Sequence, residues 1–123
     1  MMYIFRKVMR LHEISIMEST IDIVLKKAEE CNFKTIRKVT LKIGELSGVM
    51  DEALRFAFNE LKNYSMLKDA ELCIDKIKAR AYCKNCDINY DIDHFNKLCP
   101  ICAGFPAKIV SGYELYLYSI EGE

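Results

Sequence analysis

Two closely spaced pairs of cysteines constrain the fold of this chain more than any other feature. Cys83 and Cys86 form the first pair, and Cys99 and Cys102 form the second after a 12-residue linker. Each C-x2-C segment places two sulfurs on one tight turn, and two such turns build a closed tetrahedral site of four sulfurs. We therefore predict that these four cysteines bind one structural zinc ion.

Two alternatives to zinc remain at this point. Cys99-Pro100-Ile101-Cys102 resembles a rubredoxin knuckle, which would bind iron for electron transfer, although the short linker favours zinc. The cysteines could also be free or disulfide-bonded. Disulfides are typical of secreted proteins, and the apolar stretch at residues 3–5 is too short for a secretory signal. We therefore expect a cytoplasmic protein.

Composition limits the size of the fold and the class of partner. A chain of 123 residues with 51% hydrophobic residues can form one compact core with a small metal-stapled module beside it. The formal net charge is zero, and no apolar run approaches the roughly 20 residues that span a bilayer. Residues 83–102 contain Lys84 and Lys97 against Asp87, Asp91 and Asp93. Because this segment is acidic, we expect no binding to nucleic acid. The balanced net charge and the lack of a long apolar run predict no binding to membranes.

Hydrophobic periodicity predicts two helices. We expect residues 12–14 to be extended and Ser15, with Glu18 three residues later, to cap a helix that ends near Asn32. Its apolar stripe recurs at helical spacing and comprises Met17, Ile21, Val24 and Ala28. A second amphipathic helix is indicated by Leu54, Ala57, Phe58 and Leu61.

Alternating apolar residues predict the strands. Val39, Leu41 and Ile43 mark a half-buried strand. In the next strand the apolar phase shifts by one residue, which we attribute to a bulge or bend near Asp75 and Lys76. The last strand, residues 113–120, is apolar on both faces, so we expect it to be central or covered.

These elements predict an α+β fold with a small mixed sheet, two helices and an inserted zinc-ribbon-like domain. The expected divisions are an N-terminal extension at residues 1–10, an α/β domain at residues 11–80 and 107–123, and a zinc-binding domain at residues 81–106.

The two histidines are the remaining candidate metal ligands. His12 directly precedes Glu13, and periodicity does not require a histidine there. An imidazole beside deprotonatable backbone amides can bind a square-planar ion, either Ni(II) or Cu(II). His94 lies between the cysteine pairs, where it is either an ordinary polar residue or an accessory metal ligand.

The sequence resembles the HypA/HybF family of nickel metallochaperones for the maturation of nickel–iron hydrogenase. The resemblance covers residues 11–123, and four segments carry it: LHEIS at residues 11–15, VTLKIGELSGV at 39–49, the two cysteine pairs, and GYELYLYSIE at 112–121. It implies transient nickel binding at His12 and around the backbone of Glu13, structural zinc on the cysteines, and a two-part fold.

The same resemblance implies delivery of nickel rather than catalysis, so we expect no enzyme. The partners that it implies are a hydrogenase-maturation GTPase and the precursor of the hydrogenase large subunit. The alternative function is that of a zinc-ribbon adaptor that binds protein or nucleic acid without handling nickel.

Leu11 departs from the family pattern, because family members begin Met-His-Glu. We therefore hypothesise that the natural protein begins at position 11, with a non-AUG start codon that is read as methionine. In that case a free terminal amine would stand next to His12, and residues 1–10 would not be part of the protein.

Overall fold

The computed structural model describes residues 2–63 and 65–123, with side chains from residue 12 onward. Within this part of the chain there are two helices and six strands. They are α1 (Met2–Glu30), β1 (Ile36–Gly44), α2 (Asp51–Leu61), β2 (Glu71–Ile77), β3 (Arg80–Cys83), β4 (Ile88–Asp91), β5 (Lys108–Ser111) and β6 (Leu115–Gly122). The strands form two three-stranded sheets, in the orders β2-β1-β6 and β4-β3-β5. The predicted fold class, two helices and small mixed sheets with a zinc-ribbon-like cysteine module, is confirmed.

The chain divides into two compact units. The first unit comprises the residues up to Leu41, Val49–Ile74 and Leu117–Glu123, and the second comprises Lys42–Gly48 and Asp75–Tyr116. The first contains both helices, and the second contains all four clustered cysteines. The functional boundaries expected at residues 81 and 106 stay a prediction.

Helix α1 buries the predicted stripe, because Met17, Ile21, Val24 and Ala28 are all buried. The helix ends in a Schellman motif: Asn32 has a φ of 60°, and the Phe33 amide donates to the Ala28 carbonyl at 2.9 Å. No helix in the described residues is long and apolar enough to span a membrane.

The start of α1 differs from the prediction. Residues 12–14 are helical rather than extended, and Ser15 lies inside the helix, where it cannot act as an N-cap. The physical reason is that no proline or glycine occurs at residues 2–11, so the sequence contains no signal that stops the helix before Ser15. The side chains of the predicted N-terminal extension and of Leu11 lie outside the described residues.

The predicted faces of β1 and α2 are confirmed. Val39, Leu41 and Ile43 are buried on β1, as are Leu54 and Phe58 on α2. Helix α2 begins with the acidic residues Asp51 and Glu52, which suit the positive end of the helix macrodipole. The guanidinium of Arg55 donates to the carbonyl of Leu72 at 2.8 Å and so ties α2 to β2.

The shift of apolar phase after residue 74 has a different cause from the predicted bulge at Asp75 and Lys76. Strand β2 ends at Ile77 and β3 begins at Arg80 in the other sheet. A strand that changes sheets can present its other face to a new core, so the phase shift marks this passage. A register irregularity does occur, but it lies between Arg80 and Ala81, where β3 pairs with β5.

Strand β6 is an edge strand, so its predicted central or covered position is wrong. It pairs antiparallel with β1, because Thr35 and Glu123 exchange backbone hydrogen bonds at one end and Gly44 bonds Glu114 at the other. Tyr116 is 47% exposed and Tyr118 is 58% exposed. The alternation of Leu and Tyr looks apolar on both faces, but a tyrosine ring tolerates a solvated face.

The core of the second unit lies against the cysteines. Its buried residues are Leu46, Ala79, Ala81, Cys83, Tyr90, Ile92 and Cys99. The hydroxyl of Tyr90 donates to the carbonyl of Lys97 at 2.8 Å, so the polar end of this buried side chain has a hydrogen-bond partner. This packing fixes β3 and β4 beneath the two cysteine turns.

Candidate metal centre

The structure brings Cys83, Cys86, Cys99 and Cys102 together, with all four sulfurs within 4.8 Å of one another. The Sγ atoms of Cys83 and Cys102 are 3.6 Å apart, and those of Cys86 and Cys99 are 3.9 Å apart. Four sulfurs about 2.3 Å from a tetrahedral zinc ion would lie about 3.8 Å from one another. The two measured pairs match this spacing, and all four sulfurs are close enough together to bind one metal ion.

The first cysteine turn connects two paired strands. Cys83 ends β3 and pairs in register with Ile88 of β4. Asp87, the residue directly after Cys86, has a φ of 51°, and its carboxylate accepts a 2.6 Å hydrogen bond from the Tyr82 hydroxyl. The left-handed backbone at Asp87 turns the chain back into β4.

The second cysteine turn has the same left-handed residue after its second cysteine, although it does not connect two paired strands. Ala103, the residue directly after Cys102, has a φ of 59°. Its amide donates to the Cys99 carbonyl at 2.9 Å, and the Cys99 amide donates to the Gly104 carbonyl at 3.0 Å. Neither Asp87 nor Ala103 was among the residues predicted from the sequence. Their signal is positional, because each directly follows the second cysteine of a pair.

The backbone around the second turn favours ionisation of one thiol in particular. The amide of Cys102, followed by that of Ile101, lowers the pKa of Cys99 to about 7. Burial, together with the neighbouring Cys102 and Cys99 thiols, raises the pKa of Cys86 to about 12. Cys99 is therefore better prepared than Cys86 to bind a cation as a thiolate.

His94 lies on an exposed loop between the cysteine pairs. The Asp93 carboxylate accepts hydrogen bonds from the Asn96 and Phe95 amides at 2.7 and 2.8 Å, and these bonds lower the pKa of Asp93. The four-sulfur group does not include His94. Its role as an accessory ligand stays a prediction.

His12 and Glu13 lie side by side in α1, with very different exposure. The His12 side chain is 67% exposed and that of Glu13 is 1% exposed, and His12 Nδ1 is 3.7 Å from Glu13 Oε1. Glu13 Oε2 is buried without a hydrogen-bond partner among the described residues. Sequence reasoning selected this pair for its motif but did not predict the burial of Glu13.

The fold and the four-sulfur cluster together define a small α+β metal-binding protein. A family model described as "Hydrogenase/urease nickel incorporation, metallochaperone, hypA" matches residues 11–122. The chain belongs to this HypA family.

Relatives and solved structures agree with this assignment. The hydrogenase maturation factor HypA of Moorella thermoacetica is 36% identical over 92% of this chain and 100% of its own length. That of Aquifex aeolicus is 35% identical over 92% of this chain and 98% of its own. The solution structure of the Ni metallochaperone HypA from Helicobacter pylori superposes with a TM-score of 0.62 at 28% identity, covering 89% of this chain and 96% of that one.

Proposed function

We propose that this protein binds Ni(II) through His12 and the backbone around Glu13, and delivers it for the maturation of nickel–iron hydrogenase. Membership of a family described by nickel incorporation supports the general activity. The family match begins at Leu11, so His12 and Glu13 occupy the start of the matched segment.

The observation that carries this proposal is the contrast within the His12–Glu13 pair. A carboxylate that is buried with an unpartnered oxygen is energetically costly, and such groups are concentrated at functional sites. The adjacent imidazole is exposed and can reach an incoming ion. The pair thus combines an accessible nitrogen ligand with a buried carboxyl group beside it.

The position of the pair inside α1 makes nickel uptake dependent on local folding. Within an α-helix, each amide donates to the carbonyl four residues earlier. In a helix that begins at Met2, the amides of His12 and Glu13 are therefore available to a metal only when the turns around them open. A site whose ligands depend on local opening can take up an ion and also release it, which is what delivery requires.

We assign structural zinc to the four cysteines, because the donor set fits that ion. Four cysteine sulfurs within 4.8 Å of one another suit tetrahedral zinc, and a site with four protein ligands has no open position for chemistry. Cys83, Cys86, Cys99 and Cys102 would hold the ion, whose contribution is to stabilise the second unit.

The proposed partners are a hydrogenase-maturation GTPase and the precursor of the hydrogenase large subunit. Family membership and the relatives' name, hydrogenase maturation factor, support partners within hydrogenase maturation. The particular proteins follow from the resemblance alone.

Calorimetric titration of zinc-loaded protein with Ni(II) tests the nickel proposal. We expect His12→Ala to abolish stoichiometric nickel binding and to leave the zinc content and the helical circular dichroism unchanged. Glu18→Ala removes another exposed side chain of α1 and is the matched control, and we expect it to bind nickel as the unsubstituted protein does. Unchanged nickel affinity in His12→Ala would refute the assignment.

A zinc-ribbon adaptor is a second candidate, because the cysteine module exposes large apolar side chains. Phe95 is 98% exposed, Phe105 is 87% exposed and Ile101 is 72% exposed. If these side chains form one contiguous patch, the patch would be typical of a protein-binding surface. A chain that retains zinc but takes up no nickel in the same titration would favour this candidate.

A further inference from the structure

The loop at residues 45–48, between β1 and α2, belongs to the compact unit that contains the cysteines. It precedes the first of them by more than thirty residues in the sequence. We name these residues the clamp loop. Its contacts indicate why it belongs to this unit.

Glu45 contacts the chain where it enters the cysteine-bearing segment. Its amide donates to the carbonyl of Ile77 at 3.0 Å, and its Oε1 accepts a hydrogen bond from the amide of Ala79 at 3.0 Å. The residues between β2 and β3 are thus held by both the backbone and the side chain of one residue. Without the carboxylate oxygen, the buried amide of Ala79 would lose this partner.

Leu46 contacts the chain where it leaves that segment. Its amide donates to the carbonyl of Gly112 at 2.7 Å, directly after β5. The entering and leaving segments also contact each other, because the Ser111 hydroxyl donates to the carbonyl of Lys78 at 2.7 Å. The two residues Glu45 and Leu46 therefore hold both connections of the cysteine module.

The Leu46 side chain completes the core beneath the cysteines. It is 6% exposed and lies in the same buried cluster as Cys83, Cys99 and Tyr90. We infer that the clamp loop positions the cysteine site: Glu45 and Leu46 hold β3 and its core so that Cys83 and Cys99 stay in place for the metal. This inference rests on the proposed zinc site.

The test compares Glu45→Ala with two matched variants in the full-length chain. Glu45→Gln keeps a carbonyl oxygen that can accept from Ala79, so we expect it to behave like the unsubstituted protein. Glu60→Ala removes an exposed carboxylate from α2 and controls for the loss of a charge. Glu45→Asp is a milder variant that serves if Glu45→Ala fails to fold, and its shorter side chain should give a smaller effect in the same direction.

Two rates are measured: the transfer of zinc from the loaded protein to a chelator, and the alkylation of Cys83 and Cys99 in the metal-free protein. We expect both to rise about fivefold in Glu45→Ala, as the loss of one hydrogen bond implies. Equal rates in Glu45→Ala and Glu60→Ala would overturn the inference, as would a Glu45→Gln variant as fast as Glu45→Ala.

The same experiment separates this inference from the proposed zinc site. Elemental analysis of the unsubstituted protein reports directly on zinc. Alkylation of the metal-free protein reports on the clamp loop whether or not zinc is the natural metal. Faster alkylation in Glu45→Ala would support the inference even if the bound metal proved to be another ion.

Discussion

At the scale of single residues, the four thiols of the cluster are not equivalent. Backbone amides of Cys102 and Ile101 lower the pKa of Cys99 to about 7, whereas burial raises the pKa of Cys86 to about 12. A thiol in an unfolded chain has a pKa of about 8.5. The two shifts therefore act on stability in different pH ranges.

We predict the pH dependence of the metal-free protein from these shifts. Between about pH 7 and pH 8.5, Cys99 is ionised in the folded state and protonated in the unfolded state, so stability rises with pH. The stability that Cys99 contributes is lost as the pH falls through 7. Above about pH 8.5 the raised pKa of Cys86 reverses the trend, since the unfolded state loses a proton that the folded state keeps.

A pH titration followed by NMR checks this prediction. The ¹³Cβ chemical shift of each cysteine is recorded in the metal-free protein, at a temperature well below that of unfolding. Cys99 should titrate near pH 7, and its midpoint should move to about 8.5 in denaturant, which is the control. A folded-state midpoint for Cys99 above 8.5 would contradict the proposed effect of the backbone amides.

At the scale of elements, β1 passes very close to the connection that follows β5. A Cβ atom on Gly44 would lie 2.1 Å from the backbone oxygen of Gly112 and 2.7 Å from Oε1 of Glu114. Backbone atoms cannot move aside as the end of a side chain can. Glycine at position 44 therefore allows β1 to approach the chain that leaves the cysteine module.

We predict that Gly44→Ala destabilises the protein by about 2 kcal/mol or more, because the added methyl group must displace backbone. Thermal unfolding followed by circular dichroism measures the effect. Gly48→Asn is the control: Gly48 has a φ of 77° and no atom near its absent side chain, and asparagine tolerates that conformation. A loss in Gly44→Ala no larger than in the control would show that the contact is unimportant.

Much of the element structure could be predicted because it depends on local periodicity. The stripe from Met17 to Ala28 and the alternation of Val39, Leu41 and Ile43 identify their buried faces without tertiary information. The position of β6 could not be predicted in this way, since a strand of Leu and Tyr has the same pattern at an edge as at the centre. The start of α1 was missed because Ser15 and Glu18 satisfy a capping pattern that the helix continues through.

The part of the candidate site that depends on the sequence intervals between cysteines could be predicted. The cysteine intervals predict the group of four that the structure brings together. The clamp loop was not predictable, because its role depends on contacts between residues far apart in the sequence, such as Glu45 with Ala79. The burial of Glu13 likewise depends on how α1 packs.

At the scale of the whole molecule, the two units differ in what supports them. The first contains both helices and large buried side chains such as Phe58, Met17 and Leu54. The core of the second is a cluster with few large residues, chiefly Tyr90, Ile92 and Leu46. A core this small contributes little stability by itself, so a metal held by four thiolates should contribute much of the folding free energy of the second unit.

We therefore predict that removing the metal of the cysteine site with a chelator divides thermal unfolding into two transitions. The fluorescence of Tyr90, compared with a Tyr90→Phe variant, should report the lower transition, because this ring lies in the core of the cysteine unit. Circular dichroism at 222 nm should report the upper transition, because both helices lie in the first unit. Cys102→Ser should reproduce the chelated state, and Cys31→Ser, outside the cluster, should not. A single transition that both probes report at the same temperature in the chelated protein would show that the metal does not support the second unit separately.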